Sequence, residues 1–165
     1  MTSTTLGIEE LRHRYLHRDG VVYYNNPPYR RRTDKAVGSL DRHGYLITRH
    51  NGMRLAVHRL VWALHHGRLP VGDIDHINGI KSDNRPVNLR EVTHSTNQQN
   101  QRKSHVGATS RYLGVHRNKY SQRSPWTASI TVNGRARYIG CYRTEEEAHS
   151  AYLNYKRDLH AGCTI

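Results

Sequence analysis

A chain of 165 residues holds one medium domain or two small ones, and with only 35% hydrophobic residues its core must be modest. Lys and Arg (26) outnumber Asp and Glu (13) for a formal charge of +13, which calls for a polyanionic partner. There is neither a long apolar run nor a lysine-rich amphipathic helix, so nucleic acid is favoured over a membrane surface. Two cysteines, Cys141 and Cys163, with no C-x-x-C pair, argue against a disulfide framework and against structural zinc. The N-terminus lacks an apolar signal core, and the expected compartment is the reducing cytoplasm.

In chain order, residues 1 to about 20 read as a short helix or irregular lead with Leu6, Leu11, Tyr15 and Leu16 as apolar points. Asp19-Gly20 turns into a strand at Val21–Tyr24, stopped by Asn25-Asn26-Pro27-Pro28 and followed by a basic loop, Arg30-Arg31-Arg32. His43-Gly44 and Asn51-Gly52 separate short strands at Tyr45–Ile47 and Leu55–Val57. The run from His58 to Leu64 is helical, with Leu60, Val61 and Leu64 on one side, and Gly67 and Pro70 end it. Ile74-Asp75-His76 is a strand, Asn78-Gly79 opens a loop, and Leu89–Val92 returns as a second strand. Thr93 or Ser95 then caps a polar helix through Asn97 to Lys103. Small residues at 104–110 read as a linker. Beyond it come strands at Tyr112–Val115, Trp126–Val132 and Arg137–Gly140, with Asn133-Gly134 as a hairpin turn. Thr144 and Glu147 form a capping box for a helix carrying Ala148, Ala151, Tyr152, Tyr155 and Leu159.

The chemistry concentrates between residues 75 and 97. Phosphodiester hydrolysis needs an activated water, a cation at the scissile phosphate and stabilisation of the leaving oxygen. His76 titrates near neutrality and suits a general base. Asp75 and Asn97 offer hard oxygen ligands for Mg²⁺, one from the strand and one from the helix, if the strand end turns Asp75 and His76 toward one cleft. Asn88 is placed to bridge the loop between the strands and hold His76.

The run Asp75-His76-Ile77-Asn78-Gly79, Asp83-Asn84-Arg85, Asn88-Leu89-Arg90 and Asn97 resembles the HNH endonucleases, specifically the phage and intron-type homing enzymes. His58-Arg59-Leu60-Val61 is similar to the upstream element of that family. The resemblance covers residues 40 to 104, more weakly from about residue 10. It implies a ββα-metal fold, with His76 as general base, Asp75 and Asn97 as metal ligands and Asn88 as a structural amide. Asn97 stands where bacterial toxin nucleases commonly carry His, which favours Mg²⁺, or another divalent cation such as Mn²⁺, over a tight zinc site. His58 either supports the site or touches phosphate, and Arg59, Arg85 and Arg90 are assigned with it to DNA. Asn84 reads equally well as a turn residue; His65, His66 and His94 read as surface.

Tyr112–His116, Trp126–Ile130, Tyr138–Tyr142 and the Glu145-Glu146-Glu147-Ala148 helix resemble the Apetala-type (plant ethylene-response-factor) DNA-binding domain. That implies a sheet whose polar face enters the major groove. Alternation assigns His116, Asn118, Thr127, Ser129, Thr131 and Tyr138 to the DNA face, with Arg117, Lys119, Arg123, Arg135 and Arg137 at phosphates. Leu113, His116, Asn118 and Thr131 stand where the plant domains carry arginines, so their base preference does not transfer.

The expectation is therefore an α+β protein. Residues 1–104 hold N-terminal strands and an HNH nuclease (core 55–104), 105–110 form a linker, and 111–165 form a three-stranded sheet with one packed helix. The expected activity is metal-dependent cleavage of double-stranded DNA by a monomer or, equally, a homodimer, in the cytoplasm of a host cell if phage-encoded. The competing readings are a non-catalytic DNA-binding regulator that retains the scaffold, and an RNA-binding protein, which fits the charge but leaves the metal-type constellation unexplained.

Overall fold

Helix α1 (Ile8–Arg14) has Glu9 and Glu10 in its first turn and Arg12, His13 and Arg14 in its last, the charge order that suits the helix dipole. This computed structural model describes residues 7–28, 32–99, 107–132 and 134–159. The chain divides into two units, Met1–Asn97 and Gln98–Ile165. Arg30, Arg31, the segment 100–106, Asn133 and Cys163 lie outside the described residues, and with them the basic loop's first two arginines, the expected helix end at Lys103 and most of the expected linker.

In the first unit, α1 leads directly into an antiparallel hairpin, β1 (Tyr15–Arg18) and β2 (Val21–Tyr24), with Tyr15 opposite Tyr24. The lead through residue 20 is thus a strand in its second half, which corrects the sequence expectation. Tyr-Leu-His-Arg has no clear alternation, and the strand exists because Tyr15 is buried against the unit's core. Strands β3 (Ser39–Leu40), β4 (Leu46–His50) and β5 (Met53–Ala56) form an antiparallel sheet in that order. His50, 1% exposed, ties this sheet to α1 through Glu10 Oε1 at 2.9 Å and sits 3.3 Å from the Tyr15 hydroxyl.

Helix α2 (Val57–His66) buries Val57, Leu60, Val61, Trp62 and Ala63 and stops at Gly67, whose left-handed backbone donates its N–H to Ala63 O. Strands β6 (Asp73–His76) and β7 (Leu89–Val92) pair antiparallel, and α3 (His94–Gln99) follows. Thr93 caps that helix by accepting the Thr96 N–H on Oγ1 at 3.2 Å, so it starts ahead of Asn97. Leu11, Tyr15, Val22, Val37, Val57, Leu60, Val61, Trp62, Ile74 and Leu89 make one core that joins the N-terminal hairpin to the β6–β7 pair through α2.

In the second unit, β8 (Val115–Arg117), β9 (Trp126–Val132) and β10 (Arg135–Tyr142) form an antiparallel sheet with β9 in the middle, and helix α4 (Glu145–Leu159) packs on it. The capping box is present: Glu147 N–H donates to Thr144 Oγ1 at 3.1 Å and Thr144 N–H to Glu147 Oε2 at 3.4 Å. Ala148 and Tyr152 meet Val115, Ala128 and Ile130 in the core. Tyr155 and Leu159, expected on the apolar side of this helix, are exposed, while Lys156 is buried with its ammonium near the Tyr152 ring. Thr109 and Ser110, expected in the linker, belong to this unit: Ser110 is buried and accepts the Tyr112 N–H, and Thr109 Oγ1 accepts the Arg117 N–H.

Residues 112–114 form a turn, not the first part of a strand. Gly114 has φ +77°, and a Cβ there would overlap the Tyr152 ring. Gly114→Ala is expected to cost the second unit about 2–4 kcal/mol, from a backbone conformation L-residues avoid and from displacement of a core aromatic. Urea denaturation followed by the amide resonances of residues 107–159 checks it; an unchanged transition would refute the packing. Small antiparallel sheets and four helices among the described residues agree with the expected α+β class. None of these helices is long and apolar enough to cross a membrane.

Candidate active site

The β6–β7 register places Asp75 opposite Arg90 and His76 opposite Leu89. Alternation therefore puts Asp73, Asp75 and Arg90 on one face of the pair, and Ile74 and His76 on the other. Asp75 is buried, and its Oδ2 accepts from Arg90 Nε at 3.0 Å and from a terminal guanidinium nitrogen at 2.8 Å. Asn97, reaching back from α3, donates its amide N–H to Asp73 Oδ2 at 3.0 Å; His94 Nδ1 lies 2.9 Å from the same oxygen. Those two bonds hold the Asp73 carboxyl below its ordinary range. Asn97 thus docks on Asp73, two residues before Asp75 on the same strand face.

On the other face, His76 enters an aromatic pocket. Its ring centroid lies 5.1 Å from that of His58 on α2 and 6.1 Å from that of Tyr45, while Tyr45 and His58 are 5.4 Å apart. Lys81 Nζ sits 4.7 Å over the Tyr45 ring. Burial pushes both imidazoles down. His58 falls to about 4, through desolvation, the neighbouring His76 and Arg59. His76 is lowered less, because Asn84 and the Asp75 and Asp83 charges favour its protonated form. Burial is the main reason the Tyr45 hydroxyl is pushed up, with the Asp41 charge and then the Asp75 charge adding to it.

The loop 77–88 is cross-braced by amides. Asn88, buried on the 3₁₀ turn Pro86–Asn88, accepts the Asn78 N–H on Oδ1 at 2.9 Å and donates Nδ2 to Asp83 O at 2.7 Å. Asn78 Nδ2 donates to Asp83 Oδ2, and Arg85 forks onto both Asp83 oxygens at 2.8 and 2.7 Å. That fork is the main reason the Asp83 carboxyl lies far below the usual carboxylate range. Asn84, 4% exposed, accepts from His76 Nε2 on Oδ1 at 3.0 Å.

Residues 55–99 match the family model for an HNH endonuclease. The match supports a nuclease, and it spans α2, β6, the braced loop, β7 and α3. No curated protein and no solved structure matches the chain.

Within the HNH-like segment, His58 and His76 are brought together, whereas Asp75 and Asn97 are each engaged by a protein partner. Three arginines assigned to DNA have internal bonds instead. Arg59 braces the turn after α2 by donating to Gly72 O at 2.8 Å and Pro70 O at 3.0 Å; Arg85 holds Asp83 and Arg90 holds Asp75. Sequence reasoning overlooked Asp73, gave Asn84 even odds of being a turn residue, and used Tyr45 only as a strand marker. Asp73 was findable, since residue i−2 on a strand shares the face of Asp75.

In the second unit, cross-strand pairing places His116, Thr127, Ser129, Thr131 and Tyr138 on the face away from α4. Thr127 is buried, with its hydroxyl 3.4 Å from Cys141 Sγ, which removes it from an open reading surface. Tyr138 and Asn118 also reach that sulfur, at 3.3 and 4.0 Å, and the bonds from Thr127 and Tyr138 lower the thiol. Arg117, Arg135 and Arg137 pair with Trp126, Val132 and Ile130, so their pleat positions share the α4 side while their side chains are exposed. Lys119 is exposed in the loop after β8.

Proposed function

We propose that the chain is a metal-dependent DNA endonuclease of the HNH homing type, cutting with residues 75–97 and selecting its site with residues 111–165. The observation that carries this reading is the strand–loop–strand–helix segment matched to the HNH endonucleases, in which the imidazole of His76 is buried and oriented by an amide, while Asp75 next to it in sequence faces the other side of the strand pair. In the ββα-metal reading, His76 takes the proton of the attacking water, and its lowered affinity for protons keeps the ring neutral near pH 7.

The donor set fits a hard divalent cation such as Mg²⁺ or Mn²⁺: one carboxylate (Asp75) and one amide oxygen, Asn97 Oδ1, whose Nδ2 is committed to Asp73. When bound, the cation supplies positive charge to the scissile phosphate and the leaving oxygen. Arg90 fixes the Asp75 side chain, Asp73 orients Asn97, and Asn88 holds the loop that carries Asn84 toward His76. The Apetala-like sheet would read base edges with His116, Asn118, Ser129, Thr131 and Tyr138, while Arg117, Lys119, Arg135 and Arg137 bind phosphates. Tethering would then make cleavage effectively intramolecular once the reader has bound. One compact site per chain favours nicking by a monomer, with double cutting left to dimers or successive nicks.

The test is conversion of supercoiled plasmid at low salt with Mg²⁺, with Mn²⁺ and with EDTA. Cleavage that requires a divalent cation is expected, and the ratio of nicked to linear product separates one-strand from two-strand cutting. A protein that shifts DNA on a gel but leaves both the plasmid and its native locus intact with either metal is a binder. Tighter binding to structured RNA than to duplex DNA would also overturn the reading.

A further inference from the structure

Asn84 has the strongest unused claim to a role. It is 4% exposed, its Oδ1 lies 3.0 Å from His76 Nε2, and its own Nδ2 is buried without a hydrogen-bond partner among the described residues. A buried amide donor left unpaired is costly, and a simple turn residue would bring no compensation for it. An amide oxygen only accepts, so His76 Nε2 must carry the proton, and the lone pair of the neutral ring then lies on Nδ1. A general base has to offer that lone pair from a defined nitrogen, which makes the choice of tautomer part of the chemistry.

The N-terminal hairpin reaches the backbone of the same residue, at the Asn84–Arg85 peptide. Gly20, buried at the β1–β2 turn with φ +85°, comes so close that a Cβ would lie 2.5 Å from the Asn84 carbonyl carbon and from Arg85 N, and 2.6 Å from Asn84 O. A cavity of about 280 Å³, lined by this turn, Val37, Leu46, Val57 and residues 82–85, adjoins it and gives the loop room to move if the turn is altered.

We propose that Asn84 is a positioning residue that fixes His76 as the Nε2–H tautomer, and that the Asp19–Gly20 turn is the buttress holding Asn84 in place. The proposal rests on reading His76 as the general base. It assigns the hairpin, which lies outside the segment matched to the HNH endonucleases, a part in catalysis without contact with DNA.

The experiment compares Asn84→Ala, Asn84→Asp and Gly20→Ala with His76→Ala as reference, measuring single-turnover cleavage with Mg²⁺, DNA affinity, and the ¹⁵N tautomer signature of His76 by long-range proton–nitrogen correlation. Asn84→Ala is expected to lower the cleavage rate about 10- to 100-fold with DNA affinity unchanged, the range seen when an orienting partner is lost. Its His76 spectrum should become a tautomer mixture. Asn84→Asp keeps an acceptor oxygen and should recover most of the rate. Gly20→Ala should give the same spectral mixture in a folded protein, judged by its amide spectrum. An unchanged rate and a single Nε2–H tautomer in Asn84→Ala would overturn the proposal. If Asn84→Ala fails to fold, Gly20→Ala decides: a single Nε2–H tautomer in that variant overturns it. Cleavage surviving in His76→Ala would remove the general-base reading, and the tautomer spectra would then decide whether Asn84 still sets the ring.

Discussion

Replacing His76 by alanine is expected to reduce the rate of DNA cleavage about a thousandfold, within the range for loss of a positioned general base, and to leave DNA affinity within about twofold. The separation follows from where the ring sits. His76 is 5% exposed and packs on His58 and Tyr45, so it offers little surface to the phosphates that set affinity. Its removal opens a space among aromatic rings at a strand end, not in the core around Leu60 and Val61, so folding should survive. Plasmid nicking and a gel shift on the same preparations check both halves. Equal loss of binding and cutting would mean that the ring supports the DNA surface; unchanged cutting would mean that another group takes the proton.

Most of the scaffold was legible because its signals are local. Val57–His66 shows its helix through a 3.6-residue apolar period and a glycine stop, and Thr144 with Glu147 marks a helix start by chemistry confined to four residues. The order β6, loop, β7, α3 was readable from short apolar runs around Asn78-Gly79 and the Thr93 cap. The misreadings share a different cause. β1 is defined by its pairing with β2 and by burial of Tyr15, and residues 112–114 turn because Gly114 must pass the Tyr152 ring. Arg59 was assigned to DNA, but its bonds go to the carbonyls of Pro70 and Gly72, 11 and 13 residues away, which only the turn after α2 brings within reach. Within the site, the residue types were visible while their pairings were not. Nothing in the spacing says that Asn97 docks on Asp73, or that Asn84 and not Asn88 meets the imidazole.

The aromatic pocket also makes the first unit sensitive to mild acid, and His58 is the residue that shows it. Its Nδ1 is buried without a hydrogen-bond partner among the described residues, and the ring is packed by Tyr45 and His76, with Arg59 adding positive charge. Desolvation is the main reason its pKa falls from 6.5 to about 4. The folded form therefore binds this proton more weakly than the unfolded chain. Above pH 6.5 the ring is neutral in both states and adds no pH dependence. As the pH falls from 6.5 to 4, only the unfolded chain takes up the proton, and stability is lost at up to ~1.4 kcal/mol per pH unit, about 3 kcal/mol at most. The carboxylates of Asp41, Asp73, Asp83 and Glu91 are depressed instead, so their contribution persists above their ordinary pKa values and disappears at more acid pH. The two effects thus occupy different windows. His58→Phe keeps a ring against Tyr45 and His76 but cannot be protonated, so urea unfolding of this variant should lose the His58 share of the slope between pH 6.5 and 4, keeping the smaller share of the buried imidazoles His17 and His76 and the steeper decline below 4. A wild-type stability that is flat from pH 7 to 4.5 would show that His58 reaches solvent readily, and the pocket would then be open to water and unsuited to holding a neutral base beside it.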